Sequence, residues 1–170
     1  MQLIGSFHVT KDQRAKWRAL VLQPSWAQQY PQLFDDQDLR LATGPQGRAG
    51  YHMVEWIGAI VLHTLTGFHA LVSKYQFANH PRKRKVVESL GLSDALCRGR
   101  HPFSNIQGPD LLMYSPNSQN FWFCEVKGPG DTLKPDQADY FRFLESSTGQ
   151  KVQLLKLTWA AVNFGQPSMN

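Results

Sequence analysis

A chain of 170 residues, 42% hydrophobic and 18% charged, has the length and composition of one globular unit with its own core. A formal net charge of +5 suits a polyanionic partner. Two cysteines, Cys97 and Cys124, form no CxxC and no Cys/His grouping of zinc spacing, which sets aside a dithiol centre and a zinc finger. No apolar run is long enough to span a membrane. Residues 1–6 lack the charged and then continuously apolar pattern of a secretory signal. The expected compartment is therefore the cytoplasm, with no membrane partner.

In chain order, residues 10–22 read as a helix. Thr10 and Gln13 form a capping box, Trp17, Leu20 and Val21 share one face, and Pro24 closes the segment. Residues 25–34 read as a second short helix broken near Pro31. The polar, glycine-rich passage at 35–50 reads as a loop or a boundary. The first 50 residues are thus expected to be a helical appendage, with the main fold over 51–160 and a mobile tail at 161–170.

Residues 52–66 form the clearest predicted helix, apolar nearly all round. Glu55 is the one acidic residue between Asp38 and Glu88. A buried carboxylate needs a partner or a cleft; the rival reading is a first-turn glutamate reaching solvent and favoured by the helix dipole. Residues 68–77 alternate as a strand does. Arg82-Lys83-Arg84-Lys85 then opens a helix through Leu90, with Arg98, Arg100 and His101 beyond it. A solvated surface is the ordinary meaning of such a run. Its place just ahead of an acidic motif favours a face that contacts phosphates.

Leu111–Tyr114 and Phe121–Cys124 are apolar runs joined by a turn-rich hexapeptide, as in a β-hairpin. With Ser115 opposite Asn120, Asp110 falls opposite Glu125 on one face, and Lys127 points the same way. Both faces of the hairpin are otherwise apolar, which suits a sheet covered on both sides by helices. A helix over 134–147 starts at Pro135 and carries Gln137 in its first turn, near the end of the strand bearing Lys127. Val152, Leu154, Leu155 and Leu157 read as a last strand.

Two carboxylates side by side call for a cation. Mg²⁺ commonly takes one or two carboxylates together with water and substrate phosphate, and it would activate a water there. Glu55 and the Val126 carbonyl are further candidate ligands beside Asp110 and Glu125. Lys127 adds positive charge at the phosphate and can orient or deprotonate the attacking water. Asp110 alone reads equally as a strand-end turn residue, and Glu125 with Lys127 as a surface ion pair. The conjunction separates the functional reading from these.

The run Gly108-Pro109-Asp110-Leu111-Leu112, then Glu125-Val126-Lys127-Gly128-Pro129-Gly130-Asp131-Thr132-Leu133, then Gln137, resembles the VRR-NUC (virus-type replication-repair nuclease) domain of the PD-(D/E)xK superfamily. The resemblance covers about residues 105–158 and extends toward the Glu55 helix. It implies an α/β restriction-endonuclease-like core (αβββαβ), a mixed sheet flanked by helices, preceded here by an extra N-terminal helical segment. It also implies that Asp110 and Glu125 bind metal, that Lys127 is catalytic, that Gln137 supports the site and that Glu55 is the helix-borne acid. The expected activity is Mg²⁺- or Mn²⁺-dependent DNA endonuclease action on branched, forked or flapped DNA, leaving a 5′-phosphate and a 3′-hydroxyl. DNA is expected to lie along Arg82, Lys83, Arg84, Lys85 and Lys134. The setting divides between phage or repair metabolism and an antibacterial toxin domain, delivered into a target cell and held by a cognate immunity protein. The rivals are a non-catalytic nucleic-acid-binding domain that keeps the fold, and a small-molecule or protein-interaction domain whose charges are incidental.

Overall fold

The computed structural model describes residues 2–73, 75, 79–96 and 107–160. In chain order the elements are β1 (Gln2–Val9), α1 (Lys11–Arg18), α2 (Leu22–Gln29), α3 (Asp36–Thr43), α4 (Pro45–Arg48), α5 (Met53–Thr66), β2 (His69–Val72), α6 (Pro81–Ser89), α7 (Ser93–Leu96), β3 (Leu111–Tyr114), β4 (Phe121–Lys127), α8 (Pro135–Thr148) and β5 (Val152–Trp159). The five strands form one mixed sheet in the order β1-β5-β4-β3-β2. β2, β3 and β4 pair antiparallel, whereas β4–β5 and β5–β1 are parallel. With α6 and α7 inserted between β2 and β3, the elements α5, β2, β3, β4, α8 and β5 follow the expected αβββαβ order, here with helices on both faces.

The N-terminal stretch departs from a purely helical segment. Residues 2–9 form an edge strand alongside β5. The Thr10/Gln13 capping box is present, but α1 ends at Arg18. Pro24, expected to close that helix, sits instead in the first turn of α2, where a missing N–H removes no helical hydrogen bond. The passage expected as a loop at 35–50 holds α3 and α4. α3 opens on an Asp35/Asp38 capping box and α4 on Pro45. Of the expected strand at 68–77, the described residues show β2 at His69–Val72, and Lys74, Gln76 and Phe77 lie outside them. The readings at Cys97, Arg98, Arg100 and His101, and of the tail at 161–170, lie outside the described residues.

Packing explains the arrangement. On one face of the sheet, Trp17, Leu33, Phe34, Trp56, Ile57, Val72, Met113, Cys124 and Leu155 belong to one buried cluster. Phe34 stacks on Trp56 at 3.7 Å, and Trp17 meets Trp56 edge-on at 5.5 Å. Aromatic pairs of this kind add about 1 kcal/mol beyond the burial itself, so α1 to α3 clamp α5 in place. On the opposite face, Leu71, Leu112, Phe123 and Val152 pack with Tyr140, Phe141 and Leu144 of α8. Gly58 lets α5 lie close on the sheet: a Cβ there would come within 2.8 Å of Val126 Cγ2.

The hairpin register is Leu111 with Cys124 and Tyr114 with Phe121, and Ser115 N–H donates to the Asn120 carbonyl at 2.9 Å. Continued by one residue, it sets Asp110 opposite Glu125. Cys124 is fully buried, and burial pushes its thiol well above the ordinary range, so it serves as core.

Candidate active site

The site is built where β3 begins and β4 ends. Three hydrogen bonds fix the backbone of Pro109 and Asp110. The Asp110 carbonyl accepts from Ser73 N–H at 2.8 Å, the preceding Pro109 carbonyl accepts from the buried Tyr75 hydroxyl at 2.7 Å, and the Asp110 N–H reaches Glu125 Oε2 at 3.3 Å. Asp110 Oδ2 accepts from Val126 N–H at 2.9 Å. Each carboxylate is thus held by the other residue's strand. Tyr75 lies in the segment read only as alternating strand. A fully buried phenol has to find an acceptor, but the acceptor's identity could not be read from that pattern.

Lys127 and Gln137 complete the group. Lys127 Nζ is 2.6 Å from Glu125 Oε1 and 3.3 Å from Gln137 Oε1. Gln137 Nε2 donates to Glu125 Oε1 at 3.2 Å, while its Oε1 also accepts from Lys134 N–H at 3.3 Å. One side chain therefore satisfies the start of α8 and ties both charged residues together, which gives a physical reason for a glutamine in that turn. The loop leaving β4 is a tight turn. Asp131 N–H donates to the Gly128 carbonyl at 3.0 Å, Asp131 Oδ2 accepts from Gly128 N–H at 3.1 Å, and Gly130 takes φ +88°, as the third position of a type II turn requires.

Electrostatics mark the same spot. Burial first, then the negative charges of Glu125 and Glu55, push the Asp110 carboxyl well above the usual carboxylate range, outweighing the Val126 N–H and Lys127. Burial likewise raises Glu125, against the opposing hydrogen bond and charge of Lys127. Glu55 is thus near enough to act on Asp110 from α5, and it is not a surface glutamate: its side chain is 16% exposed. Its Oε2 is buried with no hydrogen-bond partner, and so is His52 Nε2. His52 Nδ1 lies 3.7 Å from Glu55 Oε1, and His52 holds a left-handed φ of 69° at the head of α5. A non-glycine residue in that conformation costs about 1 kcal/mol or more and is common at functional sites. Nothing in the sequence pattern singled His52 out.

The basic run divides. Lys83 is 1% exposed, with Nζ 2.6 Å from Asp38 Oδ1 and donating to the Val72 and Ser73 carbonyls. Arg82 donates to the Leu33 and Gln32 carbonyls at 3.0 and 2.6 Å, and its Nη1 is 3.4 Å from Asp38 Oδ2. The expectation that Lys83 contacts DNA is therefore corrected: its ammonium is consumed inside the protein, pinning α3 and α6 to the end of β2. Arg82 is committed in the same way. Arg84, Lys85 and Lys134 are exposed. Asp35, Asp38 and His80 place ligand atoms within 4.8 Å of one another, but Lys83 and Arg82 already supply the cations there. Among the described residues that trio, and not Glu55 with Asp110 and Glu125, is the group meeting so close a spacing.

A mixed five-stranded sheet with helices on both faces, carrying an Asp/Glu/Lys group at the end of its hairpin, is consistent with a restriction-endonuclease-like fold. Residues 82–159 match the family model of the VRR-NUC domain, the family expected from the motifs. The matched span runs from α6 to the end of β5 and contains Asp110, Glu125, Lys127 and Gln137; Glu55 lies before it. A VRR-NUC domain implies a nuclease, and so a nucleic acid as substrate. No curated protein matches the chain.

Proposed function

We propose that the chain is a divalent-metal-dependent DNA endonuclease, with Asp110, Glu125 and Lys127 at its centre and Glu55 and Gln137 completing it. The observation that carries this reading is the apposition of the half-buried Asp110 and the buried Glu125 carboxylates, both raised by desolvation, with Lys127 and Gln137 converging on one oxygen of Glu125.

The donor set suits Mg²⁺ or Mn²⁺. Asp110 and Glu125 are hard oxygen ligands in a site short of positive charge, and Glu55 offers an orphaned buried oxygen. Asp110, Glu125, Glu55 and the Val126 carbonyl would hold the ion, which supplies charge against the phosphate and acidity to a water. Lys127 stabilises negative charge gathering on the phosphate and orients the attacking water. Gln137 keeps the Lys127 ammonium and the Glu125 carboxylate in fixed relation. Hydrolysis joins the water oxygen to phosphorus and breaks the P–O3′ bond. The departing oxygen takes a proton, leaving a 3′-hydroxyl and a 5′-phosphate.

Exposed Arg84, Lys85 and Lys134 contact DNA phosphates, and the preferred substrates are branched, forked or flapped. The cellular role is phage or repair metabolism, or DNase action as an antibacterial toxin in a target cell's cytoplasm. A toxin would be blocked by a cognate immunity protein, so toxicity on cytoplasmic expression, relieved by a neighbouring reading frame, would select that role. The test of activity is incubation with single-stranded, duplex, forked and four-way DNA, with and without Mg²⁺ or Mn²⁺. Cleavage that requires the metal and is fastest on a branched substrate is expected. Binding without cleavage on every substrate would make the chain a non-catalytic DNA-binding domain instead.

A further inference from the structure

Beside the carboxylates lies an open cleft of about 380 Å³, lined among others by Arg14, Tyr51, Glu55, Gly128, Pro129 and Trp159, a size in the usual range for small-molecule sites. It borders the candidate site through Glu55 and through the Gly128–Asp131 turn that follows Lys127. The remainder presents aromatic rings and a guanidinium among polar groups. Tyr51 is 65% exposed and Trp159 36% exposed, and the Arg14 guanidinium lies 5.7 Å from the centre of the Trp159 ring. Large aromatics left in the open beside a polyanion-cleaving centre ask for an explanation that core packing does not supply. Arg14 and Tyr51 lie outside the span matched to the nuclease family; they are brought here by β1, α1 and the segment leading into α5.

We infer that this cleft receives an unpaired nucleobase of the substrate strand, stacked on the Arg14–Trp159 pair and Tyr51, next to the phosphate being cut. The inference rests on the nuclease reading and adds to it a base-stacking subsite built from residues outside the family-matched span. Aromatic rings and guanidinium planes stack on the π-face of any base. A base inside a duplex offers no free face, so such a cleft favours flaps, single-stranded ends and junction nucleotides. The acidic side of the cleft, Glu55 and Asp131, is unsuited to phosphate without a metal, which leaves the base and sugar as the parts of the nucleotide it accommodates.

The test is binding, measured on the full chain in chelator by fluorescence anisotropy with a labelled oligothymidine, an oligouridine and a blunt duplex. Tyr51→Ala and Trp159→Ala should each weaken oligothymidine binding by roughly tenfold and leave duplex binding unchanged, and Trp159→Phe should recover most of the loss. Arg14→Ala should act in the same direction. A parallel loss on oligouridine supports base stacking irrespective of the sugar. Tyr51 and Arg14 are exposed, so their variants report even where Trp159→Ala fails to fold. Unchanged oligothymidine binding in Tyr51→Ala and Arg14→Ala, equal losses on single strand and duplex, or no single-strand binding by the parent would each overturn the inference. Metal-dependent cleavage by the parent is scored separately. A chain that cuts DNA with an indifferent cleft refutes this inference alone, and one that stacks bases but never cuts refutes the nuclease reading alone.

Discussion

At the scale of single residues, adjacent lysines in one basic run do opposite things. Lys83 is buried against Asp38, whereas Lys85 is exposed. Removing one partner of a buried pair leaves an uncompensated charge, so Lys83→Ala should cost about 3–5 kcal/mol of stability, read by denaturant unfolding. Lys85→Ala should leave stability unchanged and lower the salt slope of DNA binding by about 1. The reverse pattern would restore Lys83 as a DNA contact. Asp38 adds a pH signature. Burial alone would raise its carboxyl, but the His80 imidazole, with Nε2 3.7 Å away, and the Lys83 ammonium at 2.6 Å outweigh that, so its pKa is lowered on folding. Its contribution is therefore complete above the unfolded carboxylate pKa of about 4 and fades as pH falls through the folded value. Unfolding titrations below pH 4 should show a steeper acid loss in the parent than in Asp38→Asn. The distinction between Lys83 and Lys85 was not readable from the sequence, because Asp38 lies in a passage that reads as loop and contact with it is long-range.

At the scale of elements, the site depends on how closely α5 lies on β4. Gly58 sets that approach, with an added Cβ only 2.8 Å from Val126 Cγ2. Gly58→Val should cost about 1–3 kcal/mol through overpacking and displace Glu55, so that metal-dependent cleavage falls by more than the stability loss explains. Equal activity per folded molecule would show that the close approach of α5 at Gly58 is not what the site depends on. The hairpin was legible because each apolar run is short and bounded by turn residues, so parity alone sets Asp110 against Glu125. β1 was not. Its interior includes Gly5 and Ser6, Leu3 is 57% exposed, and its partner β5 lies at the far end of the chain. α3 and α4 were hidden by Gly44, Pro45 and Gly47, although the Asp35/Asp38 capping box was there to be read.

At the scale of the molecule, the N-terminal region and the matched nuclease span share one sheet and one aromatic cluster. β1 extends the sheet beyond β5, α1 to α3 clamp α5, and α5 brings Glu55 to a site whose other charges come from the hairpin. The Asp110–Glu125–Lys127–Gln137 grouping was legible because motif spacing and strand parity are local, whereas the αβββαβ order came with the family resemblance, the 68–107 region giving no clear first core strand. The origin of the cleft's outer wall was not, because Arg14 and Trp159 meet only through the parallel β1–β5 pairing. The most direct test of the central claim compares the parent with Lys127→Ala and Asp110→Ala on forked DNA with Mg²⁺, with folding checked by circular dichroism and DNA affinity measured in chelator. Both variants are predicted to stay folded and bind DNA while cleavage becomes undetectable. Cleavage at the parental rate by either folded variant would contradict the assignment.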